Sequence, residues 1–204
     1  MTDFSKQLSK YIPSEAAPII SQWINDTSCR FKVTKSRTSK LGDYRAPFKG
    51  SPHQITVNHD LNPYAFLMTT IHEFAHLKTF QEFKNQVKPH GEEWKYNFKS
   101  LIQPFLKLNI FPSDIVIAIN SYMNNPAASS CTDLNLYRSL KKYDKNVVSV
   151  THIEELPTNA IFKLPNGRTF QKLEKLRKRY KCIEIDTKRI YLFHPIAEII
   201  PLEQ

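Results

Sequence analysis

The first 125 residues combine segments in which apolar residues recur at helical spacing with shorter segments typical of strands. Helical spacing predicts helices over residues 3–27, 63–83, 92–104 and 113–123, with Pro13 dividing the first of these in two. Strand-like segments cover residues 30–36, 40–48 and 53–59. This order predicts helices packed against a small, mostly antiparallel sheet.

The segment 63–83 is the most informative of these helices. Asn62 and Pro63 form a typical helix start, because an asparagine cap precedes a proline in the first turn. An apolar stripe predicts the face that packs on the core: Leu67, Ile71 and Phe74. The adjoining face then carries three polar residues: His72, Glu73 and His76.

After residues 124–130, the pattern of hydrophobic and polar residues changes from that of helices to that of strands. Four segments resemble strands, namely 147–153, 160–164, 180–186 and 189–195. Residues 165–167 and 186–188 have the composition of hairpin turns. We therefore predict an α+β protein, with a first domain over residues 1–125 and a small β-rich subdomain over residues 126–204.

Composition narrows the class of protein. With 41% hydrophobic and 24% charged residues, the chain is typical of soluble globular proteins, and it has no apolar run of the roughly 20 residues that a membrane span needs. The N-terminus lacks the features of a signal peptide. The three cysteines, Cys29, Cys131 and Cys182, are few and far apart, which favours a reducing compartment. We expect a cytoplasmic monomer that does not interact with membranes.

The net charge of +10 favours a polyanionic partner, but the charge is spread evenly over both parts of the chain. One run is more strongly basic, and Glu174 is its single acidic residue. Its cations are Arg168, Lys172, Lys175, Arg177, Lys178, Arg179 and Lys181. Phe170 and Tyr180 could stack on bases there. The run predicts either a nucleic-acid-binding patch or the solvated surface of a basic helix or hairpin.

Two histidines four residues apart on a helix point to one spot, as two ligands of a metal do. A catalytic zinc usually takes a third protein ligand and keeps one open position. The candidates for the third ligand are His53, His59, His90, His152, His194, Glu92 and Glu93. We favour His90, because it follows His76 by fourteen residues at the end of a helix–loop–helix return, where Gly91 lets the backbone turn tightly.

Glu73 has a separate role in this hypothesis. It would not bind the metal but would accept a proton from the attacking water and deliver it to the leaving amine. The alternative is that His72, Glu73 and His76 are only the polar edge of an amphipathic helix.

The segment HEFAHLKTFQEFKNQVKPHGEEWK, residues 72–95, resembles the SprT family of zinc metalloproteases. Upstream, KLGDYR and PHQITVN resemble the strand pair that leads into the family's active-site helix. The resemblance implies a minimal zincin-type metalloprotease fold, one zinc ion per chain held by His72, His76 and His90, and Glu73 as the catalytic acid and base. The family includes the Spartan proteases, which cleave proteins trapped on DNA, so it also implies a protein substrate and a link to single-stranded or damaged DNA.

The C-terminal region departs from that resemblance. Many bacterial members of the family carry a zinc ribbon with two CxxC pairs, whereas this region has only Cys131 and Cys182. His152 and His194 could complete a four-ligand site on paper. We expect instead that hairpins persist through apolar packing of Ile161, Phe162, Phe170, Ile183, Ile185, Tyr191 and Phe193. Any contact with DNA would then fall to the basic run.

The leading hypothesis is therefore a zinc-dependent metalloendopeptidase that hydrolyses proteins associated with, or crosslinked to, DNA. A catalytically idle zinc-bearing module that binds nucleic acid is the first alternative, although such a module has no need of Glu73. A metal-dependent hydrolase of another substrate is the second, because activated water does not select peptides by itself.

Overall fold

The computed structural model of the protein describes residues 2–37, 40–126, 133–144 and 151–202. The chain divides into two compact units, Met1–Lys145 and Asn146–Gln204. This boundary differs from the predicted one at residue 125, because the helix Leu134–Lys141 packs with the first unit through buried Leu136 and Leu140. The described residues form a mixed α+β structure with two sheets, as predicted.

The first unit contains the predicted helices and strands, together with one helix that was not predicted, Leu134–Lys141. Their bounds are α1 Ser5–Leu8, α2 Ala17–Thr27, β1 Arg30–Thr34, β2 Gly42–Arg45, β3 Gln54–Asn58, α3 Pro63–Phe83, α4 Glu92–Lys107, α5 Ser113–Met123 and α6 Leu134–Lys141. Pro13 separates α1 from a short 3-10 helix, Ser14–Ala16, that leads into α2. The predicted division of residues 3–27 into two helices is therefore confirmed.

The three strands form a mixed sheet in the order β1-β3-β2. β3 pairs antiparallel with β2 but parallel with β1, so the expectation of a mostly antiparallel sheet is only half right. The reason is that β3 inserts between two strands that precede it in the chain. This order leaves β2 at an edge of the sheet.

The long helix α3 lies in the core of the first unit. Its bounds agree with the sequence, and the Asn62 side chain accepts hydrogen bonds from the backbone N–H groups of Tyr64 and Ala65. The predicted stripe is confirmed, since its members are at most 2% exposed: Leu67, Ile71 and Phe74. Asn62 Nδ2 also donates to the Leu140 carbonyl at 2.8 Å, which ties the start of α3 to α6.

The helix α4 does not stop at Pro104, as the sequence had indicated, but continues to Lys107. Proline removes only the bond that its missing N–H would make to the carbonyl of Ser100. Ser100 is exposed, so water can satisfy that carbonyl, while Phe105 beyond the proline is fully buried. Among the described residues, no helix has both the length and the apolar character that crossing a membrane requires.

The second unit is built from one six-stranded sheet in the order β4-β9-β5-β6-β7-β8. The bounds are β4 Thr151–His152, β5 Ile161–Lys163, β6 Thr169–Leu176, β7 Arg179–Glu184, β8 Ile190–Phe193 and β9 Glu198–Pro201. The predicted strands over 160–164, 180–186 and 189–195 are confirmed, with turns between them at the predicted places. The predicted strand 147–153 lies largely outside the described residues. The strands β6 and β9 were not predicted.

The core of the second unit is apolar. Its buried members are Ile153, Phe162, Phe170, Cys182 and Ile199, with Tyr191 and Phe193 packed against them. Ile161 and Ile183 do not belong to this core, because successive residues of a strand point to opposite faces and Phe162 and Cys182 occupy the inner one. Ile185, just after β7, is only half-buried and does not belong to the core either. The predicted packing is therefore right for the aromatic residues and wrong for these three isoleucines.

Candidate metal centre

Three histidine side chains of the first unit converge. His72 Nε2 lies 3.2 Å from His76 Nε2 and 3.2 Å from His90 Nε2, and the ligand atoms of all three lie within 4.8 Å of one another. Tetrahedral zinc with Zn–N bonds of about 2.0–2.1 Å holds its nitrogens about 3.3 Å apart. The spacing and the donor type of this cluster therefore fit a zinc ion with three protein ligands.

The protonation state of the cluster also favours a metal. Burial lowers the pKa of all three imidazoles, and the neighbouring imidazoles lower those of His72 and His76 further, to about 4 for His76. The histidines are therefore neutral at pH 7. Neutral imidazole is the form that binds metal ions.

The turn between α3 and α4 brings His90 back over the helix. The Gly91 N–H donates to the Lys88 carbonyl at 2.9 Å, and His90 itself adopts a left-handed backbone with φ 58°. Pro89 precedes it, so the segment has the proline and the positive φ that a type II turn requires. Gly91 caps α4 with φ −69°, so the predicted reason for the tight turn was wrong: the unusual conformation belongs to His90 and not to the glycine. A left-handed non-glycine residue is uncommon and is often found at functional sites.

Trp94 packs against the whole cluster. Its ring centroid lies 4.7 Å from that of His72, 5.5 Å from that of His76 and 4.8 Å from that of His90, and the side chain is fully buried. These contacts restrict the rotamers of the three imidazoles. The cluster is therefore held in place by the first turn of α4 as well as by α3.

Glu73 lies next to the cluster without belonging to it. It is 7% exposed and lines a cleft of about 270 Å³ together with the three histidines and three residues of β2: Gly42, Asp43 and Tyr44. Burial raises the pKa of the Glu73 carboxyl to about 8, with a contribution from the Asp43 charge, while the Tyr44 N–H and the charges of Arg37 and Lys40 oppose the rise. A carboxyl whose pKa lies near neutrality can both accept and donate a proton.

Gly42 determines how closely β2 approaches Glu73. A Cβ at this position would lie 2.6 Å from Glu73 Oε1 and 2.6 Å from Thr69 Cγ2. Gly42 and Tyr44 lie in a predicted strand, but the sequence assigned neither of them a role at this site. Nothing in a single sequence shows which residue of a strand faces which residue of a helix, so no signal identified them.

The other proposed ligands lie elsewhere. His53 Nδ1 contacts the Tyr44 hydroxyl at 2.9 Å, and the Tyr44 ring stacks on that of His76 with an interplanar angle of 4°. His59 is exposed, and Glu92 forms a salt bridge with Lys95 at 2.7 Å. His152 and His194 belong to the second unit, where His152 Nδ1 contacts Glu155.

In the parts of the chain that the structure describes, no other group of three or more histidine, cysteine or acidic side chains is placed to hold a metal ion. Cys182 is buried in the core of the second unit, and Cys29 is buried in that of the first. Cys131 lies outside the described residues. Burial raises the pKa of the Cys182 thiol to about 11, so this residue packs as an apolar side chain.

The basic run forms the hairpin of β6 and β7, and its cations have different environments. Arg168 Nε donates to the buried Glu184 at 2.6 Å, and Lys172 is 3% exposed, with its ammonium group donating to the Leu156 carbonyl. Lys181 forms a salt bridge with Glu174. The remaining four are exposed at and beside the turn of the hairpin: Lys175, Arg177, Lys178 and Arg179.

The contact of Arg168 with Glu184 predicts how the second unit responds to acid. Hydrogen bonds from Arg168 and Thr187 lower the pKa of Glu184 to about 2. Because the folded pKa is below the unfolded one, the stabilisation is complete above about pH 4.5 and is lost as the pH falls toward 2. We expect the hydrogen-exchange protection factors of the β6 and β7 amides to fall as the pH is lowered over this range. The fall should be smaller in the Glu184→Gln variant than in the unchanged protein. Glu174→Gln, at an exposed pair, should resemble the unchanged protein, and equal acid responses in all three would contradict the prediction.

No protein-family model matches the chain, and comparison with curated proteins and with solved structures likewise gives no match. The geometry of the site is therefore what indicates a function.

Proposed function

We propose that the protein is a zinc-dependent metalloendopeptidase with a minimal zincin-type, SprT-like first unit. The observation that carries the proposal is the convergence of three neutral imidazoles next to a buried carboxyl that is not one of the ligands. A structural zinc site is typically closed by four protein ligands. This cluster has three, which leaves a position for water beside Glu73.

The sheet edge beside the cluster supports a peptide substrate. The Asn58 N–H donates to the Leu41 carbonyl, so the alternation of an antiparallel ladder turns the backbone groups of Gly42 and Tyr44 away from β3. The Tyr44 N–H is directed to Glu73, so the backbone groups of Gly42 and the Tyr44 carbonyl are the ones that a substrate could use. β2 is the last strand on this side of the sheet. An extended peptide could therefore pair with β2 and pass the cluster, as peptides do when they add a strand to an exposed sheet edge.

In the proposed mechanism, His72, His76 and His90 hold the metal. When bound, zinc would polarise the scissile carbonyl and lower the pKa of water. Glu73 accepts a proton from the water while the water oxygen bonds to the scissile carbonyl carbon. It then delivers this proton to the nitrogen of the peptide bond as the C–N bond breaks. The Tyr44 N–H, opposite Glu73, keeps the carboxyl directed into the cleft. The products are an amine and a carboxylic acid, which ionises to a carboxylate by releasing the second proton of the water.

An association with nucleic acid rests on the second unit. Lys175, Arg177, Lys178 and Arg179 are exposed together on one hairpin, where cations can neutralise phosphates. The other three cations of the run make contacts within the unit and take a lesser part. We therefore propose DNA-bound proteins as the substrate class, with the hairpin as the contact to DNA.

The test measures zinc content and proteolysis together. We expect inductively coupled plasma mass spectrometry to find one zinc ion per chain. We also expect the protein to cleave an unfolded protein substrate, and a chelator to abolish this cleavage. His90→Ala should weaken zinc binding by more than the 10- to 100-fold that loss of a supporting residue typically costs. His59→Ala, an exposed histidine outside the cluster, serves as the matched control and should retain zinc and activity.

The assay is run with and without single-stranded DNA. If zinc binds but no protein is cleaved under either condition, the peptidase proposal is wrong and a zinc-bearing nucleic-acid-binding module is favoured. Two zinc ions per chain would revive a second site that involves the cysteines.

A further inference from the structure

A second cavity, of about 480 Å³, opens beside the histidine cluster. It shares Tyr44, His76 and His90 with the cleft that contains Glu73, so the two spaces adjoin at the histidine cluster. The end of α3 and the loop Lys84–Pro89 form its far side. A substrate that lies along β2 would therefore have a side chain close to the mouth of this cavity.

The lining of the cavity combines an apolar floor with positive charge. Phe80, Val87 and Pro89 contribute the apolar surface, and Lys84 and Lys88 contribute the charge. No acidic residue lines it. Within the described part of the chain, neither lysine has a carboxylate within salt-bridge distance, and both are exposed.

The backbone holds one of these lysines in an unusual conformation. Lys84 ends α3 with φ 53° and ψ −132°, outside the regions that non-glycine residues usually adopt, and its N–H donates to the Phe80 carbonyl. Its ammonium group lies 5.4 Å from the centroid of the Phe80 ring, over the cavity floor. Such strained residues concentrate at ligand-binding sites, where the surrounding structure imposes them.

We propose that this cavity is a specificity subsite that receives an acidic side chain next to the cleaved bond. The inference rests on the proposed peptidase function and adds to it a preference in the substrate. Phe80, Val87 and Pro89 contact the methylene groups of that side chain, and Lys84 and Lys88 contact its carboxylate. An oligonucleotide phosphate would also meet the two lysines, but the apolar lining beside them favours a side chain of a peptide.

The first arm of the test compares cleavage of two otherwise identical peptides, with glutamate or glutamine beside the scissile bond. We expect the zinc-loaded protein to cleave the glutamate peptide about 10-fold more efficiently in kcat/KM, the effect of one or two charge-assisted contacts. The preference should disappear in Lys84→Gln/Lys88→Gln and turn toward a lysine peptide in Lys84→Glu/Lys88→Glu. The control variant Lys6→Gln/Lys107→Gln changes the net charge by the same amount as Lys84→Gln/Lys88→Gln, but at exposed sites that do not line the cavity. This control should retain the preference for the glutamate peptide.

The second arm measures binding without turnover. The zinc-loaded Glu73→Gln variant is titrated with the same peptides by calorimetry, and with an oligothymidylate as the competing anion. Equal affinity for the glutamate and glutamine peptides would overturn the inference. It would also be overturned if the lysine substitutions weakened the binding of the oligothymidylate but left the binding of the peptides unchanged. If the unchanged protein cleaves both peptides equally, the subsite is wrong while the peptidase proposal survives. If it cleaves neither, the peptidase proposal fails and the binding arm still decides the subsite.

Discussion

Glu73→Gln is expected to abolish proteolysis while leaving zinc bound. Glutamine has the shape of glutamate and can still accept a hydrogen bond from the Tyr44 N–H, so the fold and the three histidines should be unaffected. It cannot take a proton from water at neutral pH, and a positioned acid–base group contributes about 10²- to 10⁴-fold to the rate. We therefore expect kcat to fall by at least about 100-fold, with one zinc ion retained per chain.

The substitution has a second consequence for the metal-free protein. The pKa of Glu73 is raised to about 8 in the folded chain, from an ordinary value of 4.5, so folding favours its protonated form. Ionisation then opposes folding increasingly as the pH rises from about 4.5 to 8. The metal-free variant should be more stable than the unchanged protein at pH 8, and the difference should shrink toward pH 4, as measured by chemical denaturation.

Glu92→Gln is the matched control for this experiment. Glu92 lies at the exposed start of α4, pairs with Lys95 and does not contribute to the cluster, although the sequence alone left it as a candidate ligand. The control should keep zinc and full activity. A Glu73→Gln variant with wild-type turnover would remove the basis of the proposed mechanism, whatever its zinc content.

The sequence predicted the convergence of the three histidines correctly because the information is local. A spacing of four residues on a helix fixes the relation of His72 to His76, and the capped start at Asn62 fixes the helix. The position of His90 was harder to predict, since it depends on the turn between α3 and α4. The return from α3 to α4 is short, however, and a chain of that length leaves few places for the histidine other than over the helix it has just left.

The order of the strands in the first sheet was not predicted. The place of β3 between β1 and β2 is decided by contacts between segments that are distant in the chain, and it determines that β2 is the edge strand beside the cluster. The roles of Gly42 and Tyr44 follow from that arrangement. In the second unit, Phe170 was expected in the core, but the charges of β6 concealed that Lys172 also faces inward. Lys172 is buried, and its ammonium group donates to the carbonyls of Glu154 and Leu156.

Gly42→Ala is expected to reduce activity as strongly as a change in the metal ligands, although Gly42 touches neither metal nor proton. The added Cβ would lie 2.6 Å from Glu73 Oε1 and from Thr69 Cγ2, far inside van der Waals contact. β2 is held by its ladder to β3, and α3 is held by the core, so neither can withdraw freely. The Glu73 carboxyl should therefore move, and a misplacement of about 1 Å can cost about 100-fold in rate.

Stability should also fall, by about 1–3 kcal/mol, as is typical of an overpacked core. A double-mutant cycle separates the clash of the added Cβ with Glu73 from its clash with Thr69. In a Glu73→Ala background the carboxyl is absent, so Gly42→Ala should cost less stability there than in the unchanged protein, by a coupling energy of about 0.5–3 kcal/mol. Additive effects would mean that the alanine is accommodated without meeting Glu73.

Gly50→Ala distinguishes this steric effect from the general cost of replacing a glycine. Gly50 has φ +80° and nothing within 4 Å of an added Cβ, so its replacement strains the backbone but touches no other group. We expect a loss of about 1 kcal/mol from the left-handed conformation and no change in kcat. Gly42 is the reverse case, with a conformation open to any residue and no space for a side chain. If both variants lost activity equally, the loss would report on the sheet and not on Glu73. A loss confined to Gly42→Ala would mean that the edge strand of the sheet sets the position of the proton carrier on α3.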